Sequence, residues 1–206
     1  MKLLGMDNIL CLSPHPDDTE FSMAGTILKH DETKFTNVVF STGSVYDSVT
    51  DKIRWQECKD YWKGKDNIKI EFIADCLSRY SEEEWIVTLE KQLNIRDYDC
   101  IFLPCLADTH YEHRIVHNIG MAISRVTNIS VIEYRSPSSL DKWVPNLFIE
   151  IDKDILDEKT TRLRAFESQT KAYFDKTYLD SFHRNLNALK KGIKYCEQFR
   201  TTMLYK

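Results

Sequence analysis

Two hydrophobic rhythms alternate along the first 130 residues. Short unbroken apolar runs, NILCLS (8–13), NVVFST (37–42), IKIEFI (68–73) and DCIFLP (99–104), are rich in Val, Ile and Phe and predict buried strands. Between them, residues 19–30, 51–63, 81–95 and 110–126 space their apolar side chains at helical intervals. Strands alternating with helices predict a parallel sheet covered on both faces. SVIEYR (130–135) and LFIEI (147–151) read as further strands towards one edge. From Asp152 onward the pattern changes. Leu186, Leu189, Ile193, Cys196, Phe199 and Met203 recur at steps of three and four. That spacing predicts two closing helices, over 153–172 and 178–202, packed back on the sheet. The expected fold is α/β, a Rossmann-like three-layer sandwich with a mostly parallel sheet. No repeat or Gly/Ser linker divides the chain, so a single domain over 1–206 is expected.

Composition narrows the function classes. The net charge of −4 over 206 residues gives no support for a nucleic-acid binder. The longest apolar runs, such as CIFLPCLA, fall well short of the roughly 20 residues that span a bilayer. The opening MKLLGMDNILCL lacks the long apolar core of a signal peptide, so a cytoplasmic protein is expected. Six cysteines show no CxxC pair and sit largely in apolar runs, where reduced thiols act as small hydrophobes.

Candidate chemistry concentrates in two stretches. LSPHPDDTEFSMAGT (12–26) sets His15, Asp17 and Asp18 directly behind the first strand. ADTHYEH (107–113) follows the fourth strand with His110 and His113. Ligands of such sheets bind beyond the carboxyl ends of the strands, so the two clusters are candidate neighbours. A histidine and a carboxylate from the first loop plus a histidine from the second make a three-ligand set. Three ligands leave one position open on zinc, as a catalytic site requires. A divalent ion would also offset the repulsion of adjacent aspartates. The plain alternative is a helix cap supplied by Asp17 or Asp18.

SPHPDDTEFSMAGTI followed by DTHYEHRIV closely resembles the LmbE/PIG-L family of zinc-dependent N-acetylglucosaminyl deacetylases. IRWQE (53–57), YRSPSS (134–139), PNLFIEI (145–151), FESQ (166–169) and YCEQF (195–199) extend the likeness over almost the whole chain. The resemblance implies His15, Asp18 and His113 as ligands of one zinc and Asp17 as general base. It implies His110 as general acid and oxyanion partner, and Arg54 as a substrate contact. Glu112 stands where the family has aspartate, and it is expected to orient His110. Only Gly25 survives of the family's Gly-rich stretch. His117, one turn after His113, is outside the family pattern and reads as structural. Arg54 has a rival reading as a salt-bridge partner of Asp51 or Glu57 on its own helix. The four tryptophans read as core, with one or two at the site mouth as candidates to stack on a sugar.

The implied reaction is hydrolysis of an N-acetyl group from a small-molecule N-acetylated sugar or sugar conjugate, releasing acetate. Two other readings stand beside it: a metal-dependent hydrolase of another bond, such as a phosphoester, and a non-catalytic metal- or sugar-binding relative. Self-association into a homo-oligomer is compatible with the apolar face read at the C-terminus.

Overall fold

The predicted alternation closes into a seven-stranded sheet in a computed structural model of the chain, which describes residues 1–43, 51–73, 76–125, 129–169, 171–184 and 194–205. The strands are β1 (Asn8–Ser13), β2 (Lys34–Val39), β3 (Ile68–Phe72), β4 (Cys100–Pro104), β5 (Ser130–Tyr134), β6 (Leu147–Ile151) and β7 (Tyr195–Met203). The longer helices are α1 (Asp18–Lys29), α2 (Asp51–Tyr61), α3 (Glu82–Gln92), α4 (Tyr111–Ser124), α5 (Lys153–Arg162) and α6 (Lys176–Phe182). The strand order is β3-β2-β1-β4-β5-β7-β6. The first five pair in parallel, and β7 runs antiparallel to both β5 and β6.

Alternation within β1 shows why the sheet is buried on both sides. Ile9 and Cys11 enter the core cluster that also holds Phe21, Tyr61 and Phe199. Leu10 and Leu12 enter the opposite cluster with Trp85, Leu89 and Ile119. Successive strand side chains point to opposite faces, so an unbroken apolar run fills both layers at once. Helix starts are set by capping. Ser81 and Glu84 form a reciprocal capping box on α3, and Asp152 accepts from the Ile155 amide to start α5. At Gly120 a Cβ would meet Leu103 Cδ2 at 2.7 Å and Leu12 Cδ1 at 2.8 Å. Its absence lets α4 lie close against β1 and β4, which fixes the height of the residues at the helix start.

Three sequence expectations change. β2 begins three residues before the predicted 37–42, because the Lys34 amide already donates to the Asp7 carbonyl. Among the described residues the predicted helix over 178–202 is helical only at its start, in α6 up to Phe182, and its end is strand β7. Of its apolar marks, Leu186, Leu189 and Ile193 lie outside the described residues, whereas Cys196, Phe199 and Met203 sit on β7. Tyr195, Phe199, Thr201 and Thr202 favour a strand, and the gap between β5 and β6 offers pairing on both sides. A register shift between Val131 and Ile132 sends Phe199 and Met203 to opposite core clusters. The predicted helix over 153–172 ends at Arg162, and the following segment turns towards the strand ends. All six cysteines are free thiols. Among the described residues no helix is long and apolar enough to cross a membrane.

Candidate metal centre

β1 and β4 are adjacent, and the chain leaves the sheet in opposite directions after them. This is the crevice where open α/β sheets bind ligands. The loop after β1 carries His15, Asp17 and Asp18, and the loop after β4 leads into α4 with His110, Glu112 and His113. One potential ligand atom from each of His15, Asp18 and His113 lies within 4.8 Å of the others. Asp18 joins the set. Its Oδ2 is 3.1 Å from His15 Nδ1, and its Oδ1 is 3.2 Å from His113 Nε2. The ring centroids of the two histidines are 5.6 Å apart. A second compact group contains His15, His110 and Glu112.

The other ring nitrogens of both histidines are held by carboxylates. His15 Nε2 meets Glu112 Oε2, and His113 Nδ1 is 3.1 Å from Asp108 Oδ2. Asp108 is itself fixed by Ser136 Oγ at 2.6 Å and Ser138 Oγ at 2.7 Å, both donating from the loop after β5. Carboxylate partners of this kind set the tautomer and orientation of metal-binding histidines. Two imidazole nitrogens and one carboxylate match the donor set of an open zinc site. Glu112 therefore contacts His15 rather than His110, whose Nδ1 is buried without a hydrogen-bond partner. His117 is directed elsewhere, with Nδ1 2.9 Å from the Pro104 carbonyl.

Electrostatics follow from burial. Burial opposes a charged ring at His15, but Asp18 and Glu112 outweigh it and raise the pKa to about 9. His113 is raised to about 10 in the same way, chiefly by the charge of Asp18. Burial works against the charge of Asp18 too, yet His113 and His15 hold it well below the usual carboxylate range. Asp108 falls to about 2: its burial is outweighed by the bond with His113. Asp17 moves the other way. Burial raises its pKa against the pull of Arg54, and Asp18 adds repulsion. His110 is lowered by burial and by the neighbouring rings.

Asp17 occupies the N-cap position of α1, yet its side chain makes no cap bond. It accepts instead from Arg54 Nη2 at 3.3 Å, so the plain capping role is not filled. Glu57, one turn along α2, accepts from the Ser168 amide at 2.7 Å and its hydroxyl at 2.6 Å. That clamp ties the segment after α5 to the helix bearing Arg54. The segment contributes Gln169, Lys171 and Tyr173 to a cavity of about 340 Å³ that also exposes His15, Asp17, Asp18, Arg54, His110 and His113. None of the four tryptophans lines it; among the described residues, imidazoles apart, the aromatic at its wall is Tyr173. Sequence reasoning missed Asp108, the serines behind it and the Glu57 clamp. Their visible signal was that DTHYEH, IRWQE, YRSPSS and FESQ, which hold them, resemble stretches of the family.

Comparison with curated protein sequences finds no match. The family profile described as PIG-L, GlcNAc-PI de-N-acetylase, matches residues 10–124. Among solved structures, the conserved protein TT1542 from Thermus thermophilus is 17% identical, with TM-score 0.80 over 98% of this chain and 96% of that one. The N,N'-diacetylchitobiose deacetylase of Pyrococcus horikoshii is 22% identical, with TM-score 0.73 over 96% and 84%. The 4-carboxy-2-hydroxymuconate hydratase GalB of Pseudomonas putida is 16% identical, with TM-score 0.79 over 98% of each chain.

Proposed function

This chain belongs to the PIG-L family, and from that premise we propose that it hydrolyses the acetamide of an N-acetylated amino sugar, releasing acetate and a free amine. The observation that carries this reading is the convergence of His15, Asp18 and His113 at one point, beside a buried carboxylate outside the set, Asp17. His15, Asp18 and His113 would hold one zinc ion. When bound, zinc supplies the Lewis acid that makes water nucleophilic near neutral pH and polarises the acetamide carbonyl.

The remaining work falls to the chain's own groups. Asp17 takes the proton from the attacking water, and its raised pKa makes it a better base than an ordinary aspartate. Arg54 holds the Asp17 carboxylate in place through Nη2 and faces the cavity as a substrate contact. His110 has no protein partner at Nδ1, so its ring is available to hydrogen-bond the carbonyl oxygen, and the proton taken up by Asp17 is the one passed to the departing nitrogen. Glu112 and Asp108 keep the imidazoles of His15 and His113 turned inward.

The fold alone does not choose the reaction, since the similar Pseudomonas protein is a hydratase. Substrate choice therefore rests on an assay. Purified protein loaded with zinc is expected to release acetate from at least one member of a panel of N-acetylated sugars, with about one zinc per chain by elemental analysis. Asp17→Asn should keep the zinc and lose about 10²–10⁴-fold in kcat. Turnover confined to non-amide substrates, or an Asp17→Asn protein as fast as wild type, would refute the assignment.

A further inference from the structure

A second cavity of about 300 Å³ adjoins the candidate centre, lined by Arg135, Tyr178, Ser181, Phe182, Arg184 and Gln198. No described residue lines both cavities, but neighbouring ones do. The loop after β5 gives Arg135 to the small cavity and Pro137 and Ser138 to the larger one. Tyr173 lines the larger cavity, and its ring centroid is 6.5 Å from that of Tyr178.

Arg135 is half-buried and held flat, its guanidinium carbon 4.0 Å from the centroid of the Phe182 ring. Its one protein hydrogen bond runs from Nη1 to Gln198 Oε1 at 3.2 Å. Among the described residues neither Arg135 nor Arg184 forms an ion pair. Asp141 acts on Arg135 only through space. Most of the five donors of Arg135 thus have no partner among the described residues and face the solvent-filled cavity. A carboxylate or phosphate oxyanion could take two of those donors bidentately, and the Ser181 and Tyr178 hydroxyls add two donors on the same wall. The chain as a whole is acidic, with net charge −4, yet both charged residues of this cavity are cations.

We propose that this cavity is an anion subsite for a phosphate or carboxylate group on the part of the substrate remote from the acetamide. The role in substrate binding rests on the deacetylase reading of the larger cavity; the anion binding itself does not. Arg135 is fixed to the centre through its neighbour Ser136, which holds Asp108.

Two measurements on Arg135→Gln and Arg184→Gln test it, Arg184 being exposed and its loss harmless to packing. The first compares kcat/KM for N-acetylglucosamine 1-phosphate and for N-acetylmuramic acid with that for N-acetylglucosamine. Wild type should favour one anionic sugar, which identifies phosphate or carboxylate as the group bound. That preference ratio should fall about tenfold or more in each variant. An unchanged ratio in both variants overturns the proposal. The second measures inorganic phosphate and acetate binding to the metal-free protein by calorimetry. If no sugar is turned over, the deacetylase reading fails and this arm decides alone. Weaker anion binding in the variants keeps the subsite, and affinity equal to wild type removes it.

Discussion

Asp18 touches both histidines of the centre, and each histidine is backed by its own carboxylate. This pairing makes the outer carboxylates testable apart from the reaction. Asp108→Asn keeps the volume but turns one accepting oxygen into a donor and removes the charge behind His113; zinc affinity should fall about 10–100-fold in a chelator competition assay. Glu112→Gln should weaken zinc binding in the same direction through His15. The ligand types were legible in HPDD and DTHYEH because paired acids beside histidines have few other uses. Asp108 was not, since its serine partners lie some 30 residues on, in a loop that only folding brings back. Glu112 was read towards His110, two positions earlier. Residues two apart near a helix start point to different sides, which is why its carboxylate reaches His15 instead.

Among the elements, α1 and β7 are joined by a buried polar contact that no local pattern announces. Glu197 accepts from the amides of Gly25 at 2.9 Å and Thr26 at 2.6 Å, and from Lys159 Nζ at 2.5 Å. The side chains of Lys159 and Glu197 are both wholly buried. The helix can come this close because residue 25 has no Cβ, which would stand 3.0 Å from Glu197 Oε1 and from Ile151 Cγ2. Gly25→Ala should therefore lower stability by about 1–3 kcal/mol in chemical denaturation. Glu197→Gln, which leaves the ammonium of Lys159 without its counter-charge, should cost about 3–5 kcal/mol. The central strands and their helices were legible to within about three residues, because unbroken apolar runs and capping pairs are local signals. β7 was not. Its three-and-four spacing imitates a helix, and its strand pairing depends on partners more than 40 residues away.

For the whole molecule, one buried imidazole adds a distinct acid-sensitive contribution to stability. His183 ends α6 with its ring nitrogen Nε2 3.0 Å from Lys159 Nζ, and Nδ1 is buried without a partner. Burial, together with the charges of Lys159 and Arg135, holds its pKa well below 6.5. The folded ring stays neutral while the unfolded ring takes a proton below about pH 6.5. Its contribution to stability is thus complete above that pH and is lost as pH falls below it. On acidification from pH 7 to 5 this group alone lowers the unfolding free energy by up to about 1.4 kcal/mol per pH unit, against the opposite contribution of the raised His15 and His113 in the metal-free centre. In chemical denaturation at pH 7 and pH 5, His183→Gln should lack that loss, so its stability relative to wild type should rise as pH falls. The α/β architecture itself was legible, because alternation of the two rhythms leaves few topologies once crossovers are right-handed.

The position of β7 also sets an order of events during synthesis. β6 touches the sheet only through β7, so residues 147–151 have no strand to pair with while the ribosome is still making the stretch that follows. The parallel half of the sheet, with both loops of the centre, can assemble on the emerging chain, but the sheet is sealed only when 195–203 leave the exit tunnel. A nascent chain stalled before that point would expose the flanks of β5 and β6 as open edges, the form most prone to pairing with a neighbour.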